Sequence, residues 1–175
     1  EETLTLTPEV TEQAFVFDSG SVLNAIEVNP AEGAAVELKR NEENAWALIL
    51  PEKTEADQGL AEAAASQVTA LGIITEVSEA TNLSDFGLED PAYIINLGFE
   101  DGTSNELKVG DLTPSQNGYY VQLDDETVYV VGRDGIDALI SLTFAPPYLN
   151  TPTPSPTATL TALPTETPVP GTETT

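Results

Sequence analysis

Residues 93–109 read YIINLGFEDGTSNELKV, and this stretch decides the fold class. Alternate residues of its first half are apolar, which is typical of a strand that buries one face: Tyr93, Ile95, Leu97 and Phe99. Asp101-Gly102 follows, and an Asp-Gly pair favours a tight hairpin turn because both residues tolerate positive φ angles. Apolar alternation resumes on the returning strand at Leu107 and Val109. The stretch therefore predicts an antiparallel β-hairpin.

The same alternation recurs on both sides of this hairpin. Upstream it predicts opening strands through Phe15, Phe17, Val22, Ile26 and Val28, with a turn at Asp18-Ser19-Gly20. A hairpin follows, with turn residues at 29–33 and strand residues at Val36, Leu38, Trp46, Leu48 and Leu50. Downstream, a further hairpin carries Tyr119, Val121 and Leu123, then Val128 and Val130. These patterns predict a meander of antiparallel hairpins.

Two segments have helical spacing instead. Thr54 and Asp57 have the spacing of a capping box, so a helix is expected to start there and to end at Gly72. Its expected buried stripe is Leu60, Ala64, Val68 and Leu71. A second, shorter helix is expected after Asp134 as its cap, with Ile136, Leu139 and Ile140 facing inward. The predicted class is α+β, with one longer and one short helix packed on antiparallel hairpins.

A short sequence similarity between two segments of the chain points to an internal duplication. Val36–Lys39 reads VELK and Asn105–Lys108 reads NELK, and each lies after a predicted hairpin turn in a half that ends in a helix. A duplicated hairpin-plus-helix unit would explain both observations.

The domain boundary is expected at residue 150, because composition changes there. Residues 151–175 read TPTPSPTATLTALPTETPVPGTETT, rich in threonine and proline and without an aromatic residue. Proline lacks an amide donor, so we expect a disordered, extended stalk of about 80 Å at ~3.1 Å per residue after an α+β domain at 1–150. A glycosylated spacer and a plain disordered tail both fit this composition. Leu163–Thr167 lacks the pattern of a sortase signal.

Composition excludes several classes of partner and reaction. The chain has 30 acidic and 5 basic residues, a formal net charge of −25, and no His, Cys or Met. Nucleic acid and anionic membrane surfaces require clustered Lys and Arg, so neither is an expected partner. Zinc sites of the usual type, Ser-His-Asp triads and thiol nucleophiles all need residues that this chain lacks. The longest apolar runs are too short for membrane insertion, although a signal peptide, lipobox or membrane anchor is expected upstream of Glu1.

The remaining candidate chemistry is that of carboxylates. Acidic clusters occur at Glu89-Asp90, Glu100-Asp101 and Asp124-Asp125-Glu126. All three fall at predicted turns, where Asp bonds its own backbone, and no calcium-loop motif surrounds them. Gly110-Asp111 and Gly132–Gly135 lack the Lys and flanking Gly of a phosphate loop. We therefore predict no enzyme, no catalytic or metal site, and no cofactor, and the sequence leaves the ligand unidentified.

Aromatic residues separate two classes of binding function. Trp46 lies in an alternating apolar strand and is expected to anchor the core, but a solvent-exposed Trp could stack on a sugar. An adhesin that binds carbohydrate, or that depends on Ca²⁺, would need Trp46 or the tyrosines clustered on the surface: Tyr93, Tyr119, Tyr120 and Tyr129. Buried rings would favour a protein-interaction module.

An ordered set of short motifs resembles the domain-of-unknown-function 4340 family over most of residues 20–142. The set comprises Trp46 with Pro51, a helix, Phe86-Gly87-Leu88 with Pro91, Asp101-Gly102, Val109-Gly110, Tyr120-Val121 and Val128-Tyr129-Val130. The resemblance implies an extracytoplasmic envelope protein of bacteria without catalytic residues, and a partner that is an envelope or transporter-associated protein. We therefore expect a non-catalytic interaction or structural module at the cell surface, with the adhesin as the alternative.

Overall fold

The computed structural model describes residues 14–17, 20–77, 82–124 and 127–149. Its elements in chain order are β1 (Leu23–Pro30), β2 (Val36–Arg40), β3 (Trp46–Leu50), β4 (Thr54–Glu55), α1 (Gln58–Thr69), β5 (Ile73–Val77), a 3-10 turn (Leu83–Phe86), β6 (Tyr93–Phe99), β7 (Ser104–Leu112), β8 (Gly118–Leu123), β9 (Thr127–Gly132) and α2 (Arg133–Phe144). The predicted stalk at 151–175 and the turn residues Asp18 and Ser19 lie outside the described residues.

The nine strands of the described residues form one antiparallel sheet, in the order β4-β3-β2-β1-β6-β7-β8-β9-β5. The hairpin predicted from residues 93–109 is its β6–β7 pair, with Ile95 opposite Leu107 and Tyr93 opposite Val109. The α+β class with antiparallel hairpins is thereby confirmed.

The topology divides the chain into two halves with the same order of elements. Each half is a four-stranded meander followed by a helix, and β1 joins β6 at the centre of the sheet. The chain after each helix crosses to the other half: β5 follows α1 and pairs with β9, while Tyr148 follows α2 and bridges Ala56, just beyond β4. The exchange is reciprocal, as a two-fold relation between the halves requires.

Two backbone hydrogen bonds repeat this relation at the helix starts. The N–H of Asp57, the N-cap of α1, donates to the carbonyl of Pro147 at 2.8 Å. The N–H of Gly132, the N-cap of α2, donates to the carbonyl of Gly72 at 3.2 Å. Each helix start is therefore held by the segment that follows the other helix.

The two similar segments lie in equivalent elements of the fold. Val36–Lys39 lies in β2 and Asn105–Lys108 in β7, the second strand of each half. Their leucines, Leu38 and Leu107, are both fully buried in the core between the sheet and the helices. The topology thus agrees with the duplicated unit that this sequence similarity predicts.

The start of α1 differs from the prediction. Thr54 and Glu55 form β4 and pair with Leu48 and Ala47 of β3, so the chain is still in the sheet at Thr54, four residues before the helix begins. The N-cap is Asp57, whose Oδ1 accepts a hydrogen bond from the N–H of Leu60 at 3.0 Å. The helix consequently begins at Gln58.

The buried face of α1 also differs from the predicted one. Ala64 and Val68 are buried as predicted, together with Ala61 and Ala65, whereas Leu60 is 56% exposed. The prediction for Leu60 is therefore wrong, because the buried stripe passes through small alanines rather than through this leucine.

The second helix is neither short nor capped by Asp134. Both helices have 12 residues, and the N-cap of α2 is Gly132, which makes no side-chain cap hydrogen bond. Since β9 runs into α2 without a loop, Asp134 falls in the first turn of the helix. Ile136 and Leu139 are buried as predicted.

The opening strands are shorter than predicted. Phe15 forms an isolated bridge with Gly72, and Phe17 packs on Phe99 with ring centroids 5.6 Å apart. β1 starts only at Leu23, and Val22 is exposed.

The sheet face opposite the helices is covered near β8 by the segment that contains the 3-10 turn. Phe86 packs on Tyr120 with centroids 4.9 Å apart, and Leu88 is buried. Gln122 faces this same side of the sheet, since its neighbour Val121 belongs to the core. Gln122 is 4% exposed, and its Oε1 is a buried atom for which the described residues offer no hydrogen-bond partner.

Replacing Gln122 with leucine is expected to raise the free energy of unfolding by about 1 kcal/mol, because an unsatisfied buried polar group costs roughly 1–3 kcal/mol. Urea unfolding monitored by circular dichroism measures the change. Gln122→Ala is the control and should lower stability, since it leaves a cavity in place of the side chain. A less stable Gln122→Leu variant would mean that Oε1 has a hydrogen bond worth keeping.

Candidate functional site

Trp46 is a buried structural residue. Its side chain is 2% exposed, and its Nε1 donates to Oε2 of Glu62 at 2.8 Å. The Arg40 guanidinium lies 4.4 Å from the indole ring centroid and bonds the same Glu62 oxygen at 2.8 Å. The hydrogen bond from Trp46 and the charge of Arg40 lower the pKa of Glu62, against the opposing effect of burial. The ring is not available to stack on a sugar.

Tyr119 has the corresponding role in the second half. Its hydroxyl donates to Asp137 at 2.7 Å, and Arg133 bonds the other oxygen of Asp137 at 2.8 Å. Burial and the neighbouring Asp137 raise the pKa of Tyr119 to about 12. Burial by itself would raise the pKa of Asp137, but the hydrogen bonds from Arg133 and Tyr119 lower it overall. Each helix is thus tied to a sheet aromatic through the carboxylate at its fifth residue.

The other predicted aromatic candidates are half-buried. Tyr93 and Tyr129 pack against the core, and Tyr120 packs on Phe86. The structure therefore does not bring the tyrosines together in a solvent-facing cluster.

The acidic turns hold local hydrogen bonds. Asp101 Oδ1 accepts from the N–H of Thr103 at 2.9 Å and from its hydroxyl at 2.6 Å, which lower the pKa of Asp101. Asp124, at φ 48°, accepts from the N–H of Glu106 at 2.7 Å and from the amide of Asn105. These contacts agree with the prediction that the acidic residues shape turns. Glu89, Asp90 and Glu100 are exposed, while Asp125 and Glu126 lie outside the described residues.

Within the ranges that the structure describes, no three Asp or Glu side chains converge as a metal site would require. The two glycine-containing segments considered as phosphate loops have structural roles instead. Gly110 lies against the backbone of Phe86 and Gly87, and Gly132–Gly135 contains the junction between β9 and α2.

An apolar groove runs between α1 and α2 on their outer side, with a volume of about 350 Å³. It is lined by uncharged residues: Leu60, Ala63, Ala64, Gln67, Ala138, Ser141, Leu142, Ala145 and Pro147. Phe144, whose side chain is 78% exposed, is adjacent in sequence to this lining. The arrangement provides an apolar surface for contact with another molecule.

Sequence reasoning missed this groove because it placed Leu60 in the core. A signal was nevertheless present: in a chain with 30 acidic residues, α1 contains a single charged residue, Glu62. In α2 the charges stop at Asp137, and the remainder of the helix is uncharged. A helical surface that avoids charge in so acidic a chain indicates a contact surface.

A larger and more polar cavity of about 470 Å³ lies at the start of α2. It is bordered by Gly72, Asn117, Arg133, Asp134 and Gln67. Arg133 is already paired with Asp137.

None of the helices in the described part of the chain has the length and apolar character needed to cross a membrane.

Comparison with known proteins yields one match. Residues 46–141, from the first residue of β3 into α2, match the model of a family described as a domain of unknown function, DUF4340. No curated protein and no solved structure matches the chain. The match covers more than half of the chain and contains every motif of the sequence resemblance, from Trp46 to Val130, while residues 20–45 of the expected range lie outside it. The chain therefore belongs to the DUF4340 family.

Proposed function

We propose that this chain is a non-catalytic protein-interaction or structural module of the bacterial cell envelope, located outside the cytoplasm and displayed on a Thr/Pro-rich spacer at 151–175. The observation that carries the proposal is the uncharged apolar groove between α1 and α2 in a chain of net charge −25. Exposed apolar surface that a strongly charged protein keeps free of charge is typical of a docking site.

The state of the carboxylates supports a non-catalytic role. Asp57, Asp101 and Asp124 accept hydrogen bonds from the backbone of a helix start or turn. Glu62 and Asp137 connect the helices to the sheet, and their pKa values are lowered rather than raised. A general acid at neutral pH needs a raised carboxyl pKa, so these two groups are poorly suited to that role.

The aromatic contacts favour a protein partner over a sugar. Recognition of carbohydrate by stacking needs an exposed ring, and Trp46 is enclosed between Arg40 and the core. A groove lined by alanine and leucine offers few polar groups to sugar hydroxyls. An envelope or transporter-associated protein is the proposed partner.

The test uses the full-length chain, immobilised and exposed to a detergent extract of the envelope of the source organism, with retained proteins identified by mass spectrometry. The proposal expects consistent recovery of one envelope protein by the folded chain and its loss when the chain is unfolded by heat beforehand. The same chain is applied in parallel to immobilised glycans with and without Ca²⁺. Binding to glycans without recovery of any protein would contradict the proposal and favour the adhesin.

A further inference from the structure

The two helices differ at their third residue, and in α1 this residue lines the groove. In α2 this residue is Gly135, where an added Cβ would lie 2.6 Å from Cδ2 of Leu71, so the chain packs closely at that end. In α1 it is Leu60, which lines the groove opposite Ala145 and Pro147. The helix starts therefore differ in surface: one has a close-packed glycine, and the other has a leucine that is 56% exposed in the groove.

The lining of the groove and its length along α1 suit contact with a helix. Its walls are two helices that present small side chains, among them the exposed Ala63 and the half-buried Ala138. Small residues allow the backbone of a third helix to approach closely, and an apolar groove between helices is a common receptor for an amphipathic helix. From Leu60 to Gln67 the α1 wall is about 10 Å long at 1.5 Å per residue, or two helical turns.

Both ends of the groove carry a carboxylate. At one end Asp57 caps α1, and its N–H bonds Pro147, which lines the groove. At the other end Asp134 and Gln67 border the neighbouring cavity, and Gln67 also lines the groove. The nearby Arg133 is paired with Asp137 and also interacts with the charge of Asp134, but two carboxylates outnumber this one guanidinium. The groove is therefore neutral along its length and negative at its ends.

We propose that this groove binds an amphipathic α-helix of the protein partner, with small and branched apolar residues along one face and Lys or Arg beyond each end. This inference rests on the proposed function and names the surface and the chemistry of its partner. Basic ends match Asp57 and Asp134, while the apolar face would be buried against Leu60, Leu142 and the alanines.

The charge pattern favours a helix of a partner protein over two other occupants, which are a second copy of this chain and its own residues 151–175. A second copy would bring another chain of net charge −25 to the same surface, and like charges oppose association. Residues 151–175 contain no Lys or Arg to meet the acidic ends, and prolines throughout this segment disfavour a helix.

The direct test measures binding of a fluorescein-labelled peptide, KKALAALLAALAKK, to the full-length chain by fluorescence anisotropy. The variant Ala63→Glu places a carboxylate at an exposed helix position inside the groove and should weaken binding at least about tenfold, because that charge would be desolvated by an apolar helix. Ser66→Glu adds the same charge to the same helix outside the groove and should change affinity by less than about twofold. A peptide with Glu in place of all four lysines should bind at least about tenfold more weakly than the lysine peptide.

If Ala63→Glu and Ser66→Glu lower the affinity for the peptide equally, binding depends only on the overall charge of the chain, and the inference is overturned. Absence of binding to the wild-type chain would also overturn it. Sedimentation velocity tests the remaining alternative, which is that two copies of the chain associate through the groove. If the wild type is a dimer and Ala63→Glu is a monomer, the groove is a contact between copies and the inference is overturned. Both variants are at exposed positions, and circular dichroism verifies that they fold.

Capture from the envelope extract with the wild type and both variants separates this inference from the proposed function. Recovery of the same protein by the wild type and Ser66→Glu, but not by Ala63→Glu, would support the groove. Equal recovery by all three chains would leave the proposed function standing and overturn the groove. Recovery of nothing by any chain would overturn both.

Discussion

Replacing Trp46 with alanine is expected to lower the free energy of unfolding by about 3–5 kcal/mol, the usual effect of removing a large buried aromatic side chain. That is a large part of the roughly 5–15 kcal/mol that stabilises an ordinary domain. The indole is 2% exposed, donates to Glu62, and lies under the guanidinium of Arg40. Its removal would therefore leave a cavity and also release one of the ties between α1 and the sheet.

Urea unfolding monitored by far-UV circular dichroism measures this effect, because Trp46 is the single tryptophan of the chain and the variant has no tryptophan fluorescence. Trp46→Phe is the matched control. It keeps an aromatic ring but loses the hydrogen bond to Glu62, so a smaller loss of about 1–2 kcal/mol is expected. A loss below about 1 kcal/mol for Trp46→Ala would mean that the residue does not anchor the core, and would reopen its role as a ligand platform.

Gly110→Ala is expected to lower the free energy of unfolding by about 3 kcal/mol, at the upper end of the effect of overpacking. A Cβ at this position would lie 2.1 Å from the carbonyl oxygen of Phe86 and 3.0 Å from the carbonyl carbon of Gly87. Both atoms belong to the backbone, so a change of rotamer cannot relieve the clash. The segment that contains Phe86 and Leu88 would have to move away from the sheet.

Gly20→Ala is the matched control, because a Cβ there would meet no heavy atom within 4 Å. Its effect should stay within about 0.5 kcal/mol of the wild type, as for most surface substitutions. Both variants are compared by urea unfolding, and near-UV circular dichroism of the tyrosines reports whether Tyr120 keeps its contact with Phe86. If Gly110→Ala were as stable as Gly20→Ala, the 3-10 turn would not pack on β7 as the structure describes.

The reciprocal connections of the two halves bear on how the domain is stabilised. Each helix start is bonded by the segment that follows the other helix, through Asp57 with Pro147 and Gly132 with Gly72. Neither half can therefore complete its helix start by itself. The domain therefore consists of two halves with the same order of elements that depend on one another for these hydrogen bonds, and their helices differ at Leu60 and Gly135.

Local sequence signals determined most of the strands, their hairpins and the α+β class, because alternation and turn residues act over a few neighbours. The 93–109 hairpin, the buried Trp46 and the turn roles of Asp101 and Asp124 could all be predicted in this way. The composition alone excluded His and Cys chemistry, because the chain contains neither residue. The family resemblance could also be read from short motifs, and the match at residues 46–141 bears it out.

Contacts between distant residues decided the rest. Thr54 belongs to a strand because β3 pairs with it, and Leu60 is exposed because the buried face of α1 depends on where the sheet and α2 lie. The order of the sheet and the exchange of β5 and Tyr148 between halves likewise have no local signature, and the scarcity of charge in α1 and α2 does not by itself show that a groove lies between them. Pairing and burial of this kind depend on which surfaces meet in three dimensions, and therefore only the tertiary structure could place the candidate docking site on the uncharged face of the two helices.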